Sequence, residues 1–313
     1  MRRTECRVAC VGYDFQAARL EQALADTLDF SLMRTFDLRA DDYHENLMAF
    51  APDIVLQYGS ETTDEPMATL NERYRVAPRL APTWFAENAW LPQKDYLYLD
   101  AQGVADQSSV ARITAAQLPP TDRRRLDDTL AAYRHRALPA GAVPRRGGFL
   151  LLCLQMPRDT VIVRASPFQD MQALIDVVES AFPELAIVVR PHPGDPSAYR
   201  TRRADLRRDG TVAEWIVQAR LVLACNSTTL LEAMALGVPA AALGRGVFSN
   251  KGVCWEWDGD LAHLHTCLDF RPDRERLDAF LWELARRQIP LSADMPDHRP
   301  FNPVLRDLRQ RYS

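Results

Sequence analysis

At 313 residues the chain is too long for one small domain and suits two of about 150 residues each. Its 47% hydrophobic and 26% charged residues describe an ordinary globular protein, and a net charge of −4 excludes the global basic field that nucleic acid demands. Cys6, Cys10, Cys153, Cys225, Cys254 and Cys267 are scattered without a C-x-x-C spacing, so they read as buried thiols of a reducing cytoplasm. The basic start MRRTECRVAC lacks the apolar core of a signal peptide, and no run approaches the ~18 apolar residues of a membrane helix. Any meeting with a membrane is therefore expected to be peripheral.

In chain order, residues 6–13 read as a buried strand and 15–26 as an amphipathic helix. A second strand follows at 30–38, a helix at 43–50 and a third strand at 52–59. Strands alternating with helices predict a parallel α/β sheet. No G-x-G-x-x-G follows the first strand, so the dinucleotide fingerprint is missing. Residues 110–136 read as helical, and the prolines and glycines of 136–148 read as a linker.

The pattern then begins again. A strand at 149–155 precedes a helix at 166–182, with Ser166 as its cap and Pro167 at its first position. Strands at 185–193 and 220–227 bracket a helix at 211–219. The helix TLLEAMALG closes at Gly237, and PAAALG is a further strand. The tail is proline-rich from Gln288 to Pro303, and a last helix, PVLRDLRQRY, is expected to pack back on the first domain. The expected domains are 1–140 and 141–313. Together they predict a GT-B-like architecture of two Rossmann-like domains facing each other across a cleft. Such folds bind ligands outside the carboxyl ends of the parallel strands.

Four strand ends carry polar residues that suit chemistry. Asn226, Ser227 and Thr228 stand between an apolar strand and a helix, where backbone N–H groups and hydroxyls can hold a phosphate. The plainer alternative is that one of them merely caps the helix. Glu232, one turn on, can accept from a ribose diol or be a solvated helix residue. His192, held between Pro191 and Pro193, can donate to a phosphate or simply occupy a turn. Asp159 lies four residues after Gln155, just past a strand. It can attack an anomeric carbon, act as a base, or be a turn aspartate. Glu87 is surrounded in sequence by Trp84, Trp90, Tyr96 and Tyr98. Those rings suit a sugar-binding cleft and a core equally well, and a desolvated Glu87 can serve as acid or base. Histidines lack paired spacing and no convincing D-x-D loop occurs, so no metal is expected.

Taken in order, E-N-A-W-L-P-Q, L-Q-x-x-x-D-T, R-P-H-P and N-S-T-x-x-x-E-A-x-x-x-G-x-P resemble the bacterial capsule-synthesis β-Kdo transferases and their O-antigen relatives. The H-P and N-S-T elements are also similar to motifs of GT-B sialyltransferases. The resemblance covers residues 80–255. It implies a GT-B fold with an acceptor-side first domain and a donor-side second domain. It also implies CMP-β-Kdo as donor, a glycan or lipid-linked glycan acceptor, and no metal or other cofactor.

Carried over by residue, the resemblance places His192, Asn226, Ser227 and Thr228 at the donor phosphate and Glu232 near the ribose. Gln155 and Asp159 match its Q-x-x-x-D pattern, with Asp159 as nucleophile of a retaining double displacement. Glu87 matches an acid/base position beside the acceptor, although Ala89 stands where glycine is usual. The donor carboxylate calls for a cation, and Arg190, Arg158 and Lys251 are the candidates. Other readings stay open: a nucleotide-sugar 2-epimerase, a transferase using CMP-sialic acid, or a non-catalytic glycan-binding module of a polysaccharide assembly complex. Arginine runs at 123–125, 145–146, 202–203 and 207–208 suit a membrane surface as well as solvent.

Overall fold

Residues Cys6–Gly12 form β1, in which neighbouring side chains point to opposite faces and both faces are buried. Val8 and Cys10 enter one core with Leu20, Ile54, Leu56 and Trp84, while Ala9 and Val11 enter another with Phe36, Leu47 and Val55. A strand apolar on both faces is what a parallel sheet covered by helices on both sides demands. This computed structural model describes residues 6–25, 27, 31–59, 68–114, 118–139, 147–157 and 159–312. Residues 140–146 of the expected linker and Arg158 lie outside the described residues.

The chain divides into two units. One takes the chain up to Ala89, Gln93–Arg112 and the tail from Leu284, and the other takes Trp90–Pro92 and Ile113–Glu283. In the first unit, β1 lies between β2 (Ser31–Asp37) and β3 (Ile54–Tyr58), followed outward by β4 (Thr83–Asn88) and β5 (Tyr96–Asp100). The first four run parallel and β5 returns antiparallel.

In the second unit, β6 (Phe149–Cys153), β7 (Ala186–Arg190) and β8 (Asp205–Leu206) build one half of a sheet. On the other side of β6 come β9 (Leu221–Ala224), β10 (Ala240–Ala242) and β11 (Trp255–Glu256). Every pairing is parallel. Numbered from β6, the order is 3-2-1-4-5-6, the doubly wound Rossmann order. Its direction of progress reverses between β6 and β9, so their carboxyl ends flank the switch point. Leu150, Leu152 and Leu154 pack on Leu174, Ile175 and Val178 of the helix Met171–Ala181.

The tail belongs to the first unit. Strand β12 (Ile289–Pro290) pairs antiparallel with β5, and Leu305 and Leu308 of the helix Pro303–Tyr312 enter the core of Val8 and Ile54. Tyr312 meets Trp84 edge-on at 5.9 Å between ring centroids.

Two expected helices differ from the sequence reading. The expected helix 110–136 is two helices, Ser109–Arg112 and Pro120–Ala137, with Pro119-Pro120 setting the second start. That second helix groups with residues after 140: Trp282 Nε1 donates to Asp122 at 3.1 Å, and Arg123 pairs with buried Asp278 at 2.7 Å. The helix expected from Ser166 begins instead at Met171, capped by Asp170, which accepts from Gln172 N. Ser166 closes a tight turn, accepting from Phe168 N at 3.0 Å and donating to Phe168 O at 2.9 Å.

One residue fastens the tail. Asn302 is 1% exposed. Its Oδ1 accepts from Val304 N (3.0 Å) and Leu305 N (3.2 Å), and its Nδ2 donates to Arg287 O at 2.9 Å. Asn302→Ala removes a helix cap and strands the Arg287 carbonyl. Urea unfolding is expected to show a loss of about 2 kcal/mol, and an unchanged midpoint would refute this role.

Candidate active site

The switch point of the second unit is closed by two amides. Gln155, two residues past β6, donates from Nε2 to Asn226 Oδ1 at 2.8 Å. Asn226, two residues past β9, returns its backbone N–H to Gln155 Oε1 at 3.0 Å. Asn226 Nδ2 then donates to Val161 O at 3.1 Å. The polar groups of both side chains are thus engaged with protein. The sequence reading expected them to touch the donor; the geometry makes them the clasp that spaces the strand ends.

Asp159 is attached to the same residue from the other side. It caps the helix Thr160–Ala165, its Oδ1 accepting from Val161 N at 2.8 Å. Of the roles left open for Asp159, the turn and cap role is therefore present. The side chain is also exposed.

Ser227 and Thr228 precede the helix Thr229–Ala235, and both are partly buried. Ser227 Oγ accepts from Thr229 N at 3.2 Å and Ser227 O accepts from Leu230 N at 3.1 Å. These two N–H groups, expected to be open to a phosphate, are already satisfied. The Ser227 hydroxyl, accepting through its oxygen, still has its proton to donate.

His192 is exposed on the turn after β7. Its Nδ1 accepts from Gly194 N at 3.1 Å, so the neutral ring carries its proton on Nε2. A Cβ at Gly194 would meet His192 Nδ1 at 3.4 Å and Met156 Sδ at 3.7 Å, so the turns after β6 and β7 adjoin.

Beneath His192 lies Asp195, 2% exposed, which the sequence reading passed over. It accepts from Tyr199 O–H at 2.6 Å and Ser197 N at 3.0 Å, and its own N–H donates to His192 O at 2.9 Å. Burial pushes its carboxyl up, but those hydrogen bonds and the Arg208 charge prevail and hold it below the ordinary range. The aspartate in R-P-H-P-G-D was its only sequence signal.

Two of the three expected cations donate to backbone carbonyls, and the third, Arg158, lies outside the described residues. Arg190 is buried and donates to Asp209 O and Gly210 O, both at 2.6 Å. Lys251 Nζ donates to Ile113 O at 2.7 Å. Both extend buried strands or loops whose carbonyls need a donor, which explains their capture. Glu232, by contrast, is partly buried. Burial lifts its carboxyl to about 7, opposed by the nearby Tyr133 hydroxyl.

Glu87 lies in the first unit at the end of β4, its Oε1 accepting from Asn88 N at 2.8 Å. Arg19 donates to Asn88 Oδ1 at 3.2 Å. Burial raises the phenols of Tyr58 and Tyr74, and the Glu87 charge raises both further. These two tyrosines were not singled out from sequence. Trp84, Trp90, Tyr96 and Tyr98, which were, are all buried packing residues rather than an open sugar platform. Tyr96 O–H donates to Pro296 O at 3.1 Å, and Tyr98 Oη accepts from Ala105 N at 2.8 Å. Ala89 is buried at a backbone conformation outside the positive-φ region, so alanine there needs no glycine-like freedom.

A Rossmann sheet with polar side chains at its switch point, continued into a second α/β unit, defines a protein of GT-B-like fold. The chain belongs to the capsule polysaccharide biosynthesis protein family, whose model matches residues 109–289, more than half of its length. It is similar to the Thermosulfurimonas dismutans KpsC β-Kdo 2,7 transferase, with a TM-score of 0.64 and 15% identity over 99% of this chain and 100% of that one. The KpsC β-Kdo 2,4 transferase of the same organism gives 0.56 and 15% identity, over 89% and 90% of the two chains. At this identity the likeness concerns the fold. Protein FixF of Sinorhizobium fredii (strain NBRC 101917 / NGR234) is 27% identical over 217 residues, 63% of this chain. The chain spans about half of that relative, 52% of its length.

The amide clasp is testable by a double-mutant cycle. Gln155→Ala and Asn226→Ala are each expected to lower stability by about 1–2 kcal/mol. The double variant should fall short of the sum by ~1 kcal/mol in urea unfolding. Strict additivity would deny that the two residues act as one unit.

Proposed function

We propose that the chain is a glycosyltransferase of bacterial surface-polysaccharide assembly that moves β-Kdo from CMP-β-Kdo to a glycan acceptor. One observation carries this reading. Asp159, His192 and the Ser227–Thr228–Glu232 group follow β6, β7 and β9, three adjacent parallel strands, at their carboxyl ends. The family and the likeness to two KpsC Kdo transferases support the donor.

In this mechanism the Ser227 and Thr228 hydroxyls and the His192 Nε2–H donate to the phosphate and stabilise it as CMP leaves. Glu232 accepts from the ribose hydroxyls. The Asp159 carboxylate attacks the anomeric carbon, and the bonding pair departs with the phosphate oxygen. Its cap bond through Oδ1 fixes the direction of attack. An acceptor hydroxyl then displaces Asp159 from the sugar and gives its proton to a base, so configuration is retained. No metal takes part. With Arg190 and Lys251 held by carbonyls, the hydroxyls and the His192 Nε2–H supply the hydrogen bonds to the phosphate. Among the described residues no helix is long and apolar enough to cross a membrane. We place the enzyme in the cytoplasm, meeting lipid-linked acceptors peripherally at the inner face of the membrane.

Two measurements test the reading. CMP is expected to raise the melting temperature while UDP and GDP do not, and Ser227→Ala or Thr228→Ala should weaken CMP about 10-fold or more. Equal response to all three nucleotides would refute a CMP-sugar site. Intact mass after incubation with CMP-Kdo should show one added Kdo on the wild type and none on Asp159→Asn. CMP release from both proteins without an adduct would remove Asp159 as nucleophile. An adduct formed only with CMP-sialic acid would change the donor.

A further inference from the structure

The segment that begins at Asp159 is tied down across the ends of three strands. Val161 O accepts from Asn226 Nδ2, just past β9, at 3.1 Å. Ala165 O accepts from Arg245 N, just past β10, at 2.8 Å. Phe168 stacks on Trp257, just past β11, at 5.3 Å between ring centroids and 22° between planes. Segment 159–168 thus meets the carboxyl ends of β9, β10 and β11 in turn.

Where it meets β10, the backbone is closely packed. Gly244 N donates to Cys225 O at 2.9 Å, so β9 and β10 stay side by side beyond their last paired residues. A Cβ at Gly244 would meet Ala165 O at 2.9 Å and Ser166 Cα at 3.2 Å, so the close approach of backbone requires glycine. The residue after it, Arg245, is therefore fixed in place. Counted on from the pair Ala242 and Ala224, the position opposite Arg245 is Ser227. Neighbouring strands lie about 4.8 Å apart. Arg245 is exposed, and its side chain forms no ion pair among the described residues. Arg190 and Lys251, in contrast, are engaged by carbonyls.

We propose that Arg245 is a phosphate-binding residue: its guanidinium pairs with the phosphate that the Ser227 and Thr228 hydroxyls receive. The identity of the molecule that carries the phosphate rests on the nucleotide reading above. The anion site itself does not. A guanidinium is charged at every working pH and matches two phosphate oxygens at once.

The reaction gives this cation a further role. In a CMP-sugar the phosphate is a diester with one negative charge. When the bond to the anomeric carbon breaks, its electron pair stays on the phosphate oxygen. CMP then leaves as a monoester with a second negative charge. A fixed cation there stabilises the leaving group more than the bound donor, which lowers the barrier. Hydroxyls and a neutral imidazole supply hydrogen bonds but no net charge.

The test uses the full chain as wild type, Arg245→Ala and Arg245→Lys. Calorimetric titration with CMP and with cytidine separates phosphate from nucleoside, and the KM for CMP-Kdo reports the donor. Arg245→Ala is expected to weaken CMP about 10-fold or more and to leave cytidine unchanged, while Arg245→Lys recovers part of the loss. Melting temperatures without ligand should agree within about 2 °C, because an exposed side chain with no partner supports little of the fold. Equal CMP affinity in wild type and Arg245→Ala overturns the inference. An equal loss for cytidine also overturns it and moves the arginine to the base. A loss confined to CMP-Kdo overturns it and moves the arginine to the sugar carboxylate. A wild type that binds no CMP overturns the nucleotide reading, and inorganic phosphate then decides the anion site. A rise in melting temperature with phosphate that Arg245→Ala loses upholds the site, and equal responses of the two proteins overturn it.

Discussion

The geometry of the second unit depends on how two parallel strands end. β6 and β9 are neighbours in the sheet, but their helices leave to opposite faces, so nothing in the ladder fixes the gap beyond the last paired residues. Gln155 and Asn226 fix it with a pair of reciprocal hydrogen bonds. Through Val161 the same pair reaches the segment that carries Asp159. This link between the strand ends is made by amides, which do not titrate.

Charge is distributed unusually around this opening. Two of the basic side chains expected to meet an anionic sugar are tied to backbone carbonyls: Arg190 to Asp209 and Gly210, and Lys251 to Ile113. His192 is exposed on its turn, and Ser227 and Thr228 are partly buried. Their dipoles are preorganised by Gly194 N–H, Thr229 N–H and the buried Asp195 beneath the histidine turn.

In the first unit the physics is different. Glu87 ends β4 with buried phenols, Tyr58 and Tyr74, in its electrostatic field and with Arg19 tied to its neighbour Asn88. The neighbouring tryptophans and tyrosines of the sequence pack into cores instead. Aromatic content near a carboxylate did not distinguish these outcomes, because ring burial is decided by strand register. Glu87 pairs across the sheet with Tyr98, whose phenol is taken by Ala105.

What the sequence by itself determined is local. Apolar runs bounded by glycine, proline and small polar residues located β1, β2, β3, β6, β7, β9 and β10 to within a few residues, and the alternation of strand and helix set the α/β class. Four motifs at strand ends carried the family resemblance, because residues at turns answer mainly to their immediate neighbours. Tertiary structure decided the partners. Gln155 finds Asn226 at a separation of 71 residues, and Trp282 finds Asp122 at a separation of 160. Asp170 rather than Ser166 starts its helix, since a cap is chosen by which N–H groups remain open once the chain has packed. A residue's type states which bonds it can make. Which bonds it makes depends on groups brought near by folding, and their order along the chain holds no record of that distance.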